Sequence, residues 1–325
     1  MREPLKVVDA PLYGERRDYV GDLDASQFLV TRDRALLWAP LTDGIRSAAG
    51  AVSVGVLATF VDVITSMPTI VAAKPDWTAT QSLAVHAADW LVEGPVVLDA
   101  RLVRAGKKVV VVRADLWDGR GLHDVHDLLE AFDATPGAAD EDGVGARSDG
   151  SAGSEGPVPG GGRAGDPVLA GRALITFARI PRAAAGDFPS RYDPESWMGS
   201  IVRRTFDPPA TDAVRERIGL QVVDGSEGVV EVASVPYVTN SIGTINGGVL
   251  AVMVEHAAEA LRPGLVATDL SIQYLSQMKV GPARTRATVS RDAGDHSVVT
   301  VEVVDHGGDD QLLALATVTL QPPPG

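Results

Sequence analysis

The chain has 325 residues, a formal net charge of −14 and no cysteine. The length favours two domains. The charge disfavours nucleic acid and anionic membrane surfaces as partners, and the missing thiols exclude disulfide frameworks, cysteine nucleophiles and cysteine-based zinc sites. The N-terminal segment, MREPLKVVDAPLYGERRDYV, lacks the apolar core of a signal peptide, so a soluble, cytoplasmic protein is expected.

In chain order, a short early strand is predicted around 34–41, then a long apolar helix over about 54–71. Residues 50–73 are apolar for long enough to span a membrane, but Asp62, Pro68 and the absence of flanking basic clusters predict a buried helix instead. Three strands are predicted at 79–89, 96–104 and 108–117, and a fourth at 168–179. Between the last two lies a stretch rich in Gly, Asp, Ser and Pro, read as a disordered insert at about 119–166, with HDVHDLLEAF as its one helical candidate. Residues 181–204 read as a connector.

The pattern then repeats. An early strand falls at 228–236 and a helix at 247–261, with strands at 267–277, 283–291, 297–305 and 311–320. GAVSVGVLATFVDV from Gly50 aligns with GTINGGVLAVMVEH from Gly243, placing Asp62 on Glu255. The period is a whole domain, too long for a solenoid. Two units follow, 21–180 and 205–321. The fold class is α+β, each unit one helix wrapped by an antiparallel sheet, the two forming a pseudo-dimer.

Asn246-Gly247-Gly248 opens the second helix. Glycine lets a ligand approach the backbone, and the first-turn N–H groups carry the positive end of the helix dipole, a means of stabilising an oxyanion. Glu255 lies seven residues beyond Gly248, about 10 Å along the axis. It is too far to serve its own helix start. An antiparallel neighbour could serve it, so Asp62 of the first unit is expected to face the Asn-Gly-Gly turn of the second.

Asn240 six residues before Asn246, Gly247-Gly248, and an acid seven residues later make a spacing that resembles hotdog-fold acyl-CoA thioesterases of the phenylacetyl-CoA, or PaaI-like, type, here in a fused double-hotdog form. TDLSIQYLSQMKVG is similar to that family's strand after the helix. The likeness covers 228–320 and, through the repeat, 34–118 and 168–179. It implies thioester hydrolysis, with Asn240 and Gly247 holding the carbonyl and Asp62 acting as base or nucleophile. Thr80 or Ser82 would supply a hydroxyl. Asn246 stands where the family has His. The first unit has Ser47 and Ser53-Val54-Gly55 at the equivalent places, so the site that Glu255 would serve is expected to be degenerate. Arg104 and Lys107 are candidates for coenzyme A phosphate contacts. No metal or further cofactor is called for, coenzyme A being part of the substrate, and the pseudo-dimer could pair again with a second copy. His86, His123, His126 and His256 are discounted. Competing readings are a hydratase or dehydratase, which would need a His paired with an acid, and a non-catalytic acyl-CoA-binding protein.

Overall fold

The computed structural model describes residues 5–9, 16–134, 165–181 and 192–324. The greater part of the expected disordered insert falls outside these residues. The front unit holds β1 (Val7–Val8), β2 (Ser26–Leu29), β3 (Arg34–Ala39), helix α1 (Val54–Ala73), β4 (Trp77–Ala87), β5 (Val96–Ala105), β6 (Val109–Asp118), helix α2 (Val125–Ala131), β7 (Val168–Ile180) and β8 (Ile201–Arg203). The back unit holds helix α3 (Val214–Arg217), β9 (Gln221–Asp224), β10 (Val229–Val232), helix α4 (Gly247–Leu261), β11 (Val266–Tyr274), β12 (Ala283–Asp292), β13 (Ser297–Asp305) and β14 (Gln311–Gln321). Among the described residues, the fourteen strands form one continuous sheet in the order β1-β8-β2-β3-β5-β6-β7-β4-β11-β14-β13-β12-β10-β9.

The units join where β4 pairs antiparallel with β11, Ser82 to His86 against Gln273 to Asp269. Their internal irregularities coincide. Bulges interrupt the ladders around Gln81 and Val103 in front and around Thr268 and Ser290 behind. Each back bulge lies 187 residues after its front counterpart. The same spacing links Asp118, whose carboxylate accepts the N–H groups of Val92, Glu93 and Gly94, to Asp305, which accepts those of Lys279, Val280 and Gly281. A bulge re-aims the side chains of one strand and has no reason to recur at fixed spacing in unrelated segments. These coincidences are the structural record of the duplication.

Both long helices lie on the inner side of the sheet, antiparallel and in contact. A Cβ on Gly55 would stand 2.6 Å from the Cα of Val252, and one on Gly248 would stand 2.3 Å from Thr59 Oγ1. The two glycines therefore set how closely the helices approach. Helix α1 is long and apolar enough to cross a membrane, but most of it is buried in this core.

Two segments do more than the sequence reading assigned them. Residues 119–134 do not behave as a disordered loop. Leu122, Val125, Leu128, Leu129 and Phe132 pack on the outer face of the front sheet against Phe28, Leu36, Val97 and Trp117. The signal was present: RALLWA and VVLDA are apolar on both faces of their strands, which calls for a second layer. The stretch taken as a connector supplies β8, which pairs with β1 and β2, and a buried Tyr192 beside α1.

Candidate active site between the two units

A cavity of about 540 Å³ opens between the units. Its walls come from α1 (Asp62, Ser66, Ile70), β4 (Trp77, Thr80), β7 (Phe177, Ile180), Tyr192, the loop Asn240 to Asn246, the start of α4 (Gly247, Leu250) and β11 (Tyr274). Neither unit builds it alone.

Asp62 is partly buried in the wall. Thr80 Oγ1 donates to its Oδ1 at 2.5 Å. Burial pushes the carboxyl above its ordinary value, and the Thr80 bond opposes this by favouring the charged form. The bulge places Thr80 and Ser82 differently. Leu83 and Val85 point inward, and strict alternation would also bring Gln81 inward. The bulge at Gln81 turns Thr80 to the cavity instead, while Ser82 shares a 2.5 Å hydrogen bond with Thr176 outside it.

On the opposite wall, Asn246 caps α4, its Oδ1 accepting the N–H of Gly248 at 2.8 Å. The position acts as a helix cap, a task asparagine performs well. Gly248 is thereby occupied within the protein: its N–H is taken by Asn246 and its Cα face by Thr59. Gly247 keeps a different character. Among the described residues its N–H has no protein acceptor, and it stands at the positive end of α4. The Tyr274 ring lies against it, 3.2 Å from where a Cβ would be, and the Tyr274 hydroxyl donates to the Gly247 carbonyl at 3.0 Å. Tyr274 is a site residue the sequence reading missed. Nothing in QYLSQ distinguishes it from a core aromatic.

Asn240 Oδ1 accepts the N–H groups of Ile242 and Thr244 at 3.1 and 3.3 Å, which turns its amide nitrogen away from its own loop. Among the described residues that nitrogen has no acceptor.

Glu255 is elsewhere. It is 1 % exposed and bonds Ser53 Oγ, the Val54 N–H (3.0 Å) and the Gly55 N–H (3.1 Å) at the start of α1. This is the mirror position of the cavity. There the equivalent space shrinks to about 100 Å³, lined by Ala51, Val54, Leu57, Ala87, Trp90 and Ala267. Ala267 replaces the Thr80 hydroxyl, Ala87 replaces Tyr274, and Val54 replaces Gly247. Glu255, the acid expected to serve the degenerate site, is thus a buried acid whose carboxylate occupies the first-turn amides of α1 at the mirror position. Arg104 and Lys107 stand exposed at the β5–β6 hairpin tip and do not line the cavity.

The comparisons with known proteins agree with this architecture. Residues 235–321 match the family model of the acyl-CoA thioesterase N-terminal domain. Among solved structures, a Lactobacillus plantarum protein named for a proposed oleoyl thioesterase activity is 8 % identical, with a TM-score of 0.53 over 91 % of this chain and 100 % of that one. The 12:0-ACP thioesterase from Umbellularia californica is 9 % identical, with a TM-score of 0.51 over 90 % and 95 %. At such identity these likenesses establish the fold. No curated protein sequence is significantly similar to the chain. The chain therefore has the hotdog fold, and its residues 235–321 match the acyl-CoA thioesterase N-terminal domain.

Proposed function

We propose that the chain hydrolyses an acyl thioester, in the manner of the PaaI-like type, at one site formed between its two units. The observation that supports this reading best is that Asp62 of the front unit and Asn240 and Gly247 of the back unit line a single cavity.

The thioester carbonyl oxygen would take the Gly247 N–H, where the α4 dipole favours developing negative charge, and the Asn240 amide would add a second donor. Thr80 fixes one oxygen of Asp62, leaving the other to accept a proton from water as that water attacks the carbonyl carbon. The tetrahedral intermediate then collapses, the C–S bond breaks, and the sulfur leaves with a proton as the free thiol. A carboxylic acid remains. Burial raises the Asp62 pKa and so strengthens it as a base, provided it is ionised at working pH.

The mirror site is inactive in this reading, since the glutamate occupies the amides that a substrate oxygen would need. Thiol release measured across short, long and aryl acyl-CoAs, on wild type and Asp62→Asn, tests the proposal. Turnover in wild type and its loss in the variant support it. Acyl-CoA that binds and stays intact would favour a non-catalytic binding protein instead.

A further inference from the structure

The cavity extends from a back-unit loop to the front-unit helix. At the surface it is lined by the loop from Asn240 to Ile242, where Ile242 is 51 % exposed. One wall runs along α1. Asp62, Ser66 and Ile70 share one face of that helix, four residues apart each time, so Ser66 lies about 6 Å and Ile70 about 12 Å beyond Asp62 along the axis. Tyr192 stands beside Ser66. Its ring packs edge-on against Trp77 and Trp197 at centroid distances of 6.1 and 5.1 Å, which fixes its orientation.

Tyr192 lines the cavity, and among the described residues its hydroxyl meets Ser66 Oγ at 3.4 Å, too long for a good O–H···O bond. Ser66 sends its own proton to the Val63 carbonyl at 2.7 Å. Among the described residues, the tyrosine therefore holds a donor that the protein leaves weakly used, beside the apolar wall formed by Ile70, Trp77 and Phe177. Burial raises its pKa to about 12, so the proton stays on.

Building on the thioesterase reading, we infer that Tyr192 is a specificity-determining residue and that the favoured acyl group carries a hydrogen-bond acceptor oxygen about one helical turn beyond the thioester carbon. A plain alkyl chain would leave the hydroxyl unpaired in a desolvated site, and enclosures with such donors discriminate against analogues lacking the acceptor.

A matched pair of probes tests this: 5-oxohexanoyl-CoA and 5-methylhexanoyl-CoA, which differ by a ketone oxygen against a methyl. Their dissociation constants would be measured by calorimetry on Asp62→Asn, with and without Tyr192→Phe. The expected result is a preference of about fivefold to tenfold for the ketone, falling to near one with Tyr192→Phe. Equal affinities with Tyr192 intact, or a preference that survives Tyr192→Phe, would overturn the inference. The readout is binding, so the two readings fail separately: no thiol release from any acyl-CoA of the wider screen would sink the thioesterase reading, while the ketone preference tests Tyr192 alone.

Discussion

Glu255 accepts the backbone N–H of Val54 at 3.0 Å, the first residue of the opposing helix. The equivalent pair in the other half is Asp62 and Gly247, and there no such bond forms among the described residues. Aspartate is one methylene shorter than glutamate. The difference leaves the Gly247 amide free and a cavity in front of it, where the mirror position has a sealed cap. A small change in side-chain length, with Thr80 and Tyr274 in place of Ala267 and Ala87, separates an open site from a closed one in a molecule that is otherwise nearly two-fold.

The first prediction concerns that seal. Glu255→Gln keeps one acceptor oxygen but turns an amide NH₂ toward backbone donors. A loss of about 1 to 3 kcal/mol in stability is expected, read by denaturant unfolding, from the unmatched buried donors. Thiol release should survive in the folded fraction, because Glu255 lies outside the open cavity.

Helix contact gives the second. Gly248→Ala would drive a Cβ to 2.3 Å from Thr59 Oγ1, and Gly55→Ala would drive one to 2.6 Å from the Val252 backbone. Both should destabilise by about 1 to 3 kcal/mol. Thr59→Ala should partly rescue Gly248→Ala, since it removes the two nearest atoms. It should not rescue Gly55→Ala, where the obstacle is main chain.

The duplication, both long helices and the eight main strands were legible in the sequence because hydrophobic period and internal alignment carry them. The pairing of Asp62 with Asn240 and Gly247 in one cavity follows from an antiparallel packing that the repeat suggested. Thr80 could not be separated from Ser82, because the bulge at Gln81 depends on tertiary pairing with β7. Helix α2 falls within HDVHDLLEAF, the helical candidate of the insert, but its packing as an outer layer was hinted at only by the apolar outer faces of β3 and β5, and Tyr192 lay in a stretch whose composition reads as loop. The closure of the mirror site by Glu255 turned on a side-chain length whose effect needs the helix spacing to be known.

A third prediction is the pH dependence of activity. Asp62 must be ionised to accept a proton, and burial holds its pKa above the ordinary value of about 4. The acid limb of kcat/KM should therefore lie above pH 4. Thr80→Val, which removes the bond favouring the charged form, should move that limb further up and lower the plateau. A limb unmoved by Thr80→Val would show that the hydroxyl does not act on the carboxylate.

Linkage supplies a fourth. A carboxyl whose folded pKa is raised binds its proton more tightly in the native state than in the unfolded chain. Wild-type stability therefore falls as pH rises from the unfolded value through the folded one, relative to a variant that does not titrate there. Asp62→Asn should gain stability over wild type at pH 7 to 8 and lose that advantage below about pH 4. Glu259, buried and raised to about 8 chiefly by that burial, should behave alike, with Glu259→Gln gaining most above pH 8.

The central claim is that the two pseudo-equivalent acids have parted company, one reacting and one sealing. Steady-state thiol release from an accepted acyl-CoA by Asp62→Asn and by Glu255→Gln, both confirmed folded, addresses it directly. The account predicts a fall of about 10² to 10⁴ in kcat for Asp62→Asn and near-native turnover per folded molecule for Glu255→Gln. Full activity in Asp62→Asn with loss in Glu255→Gln would contradict it.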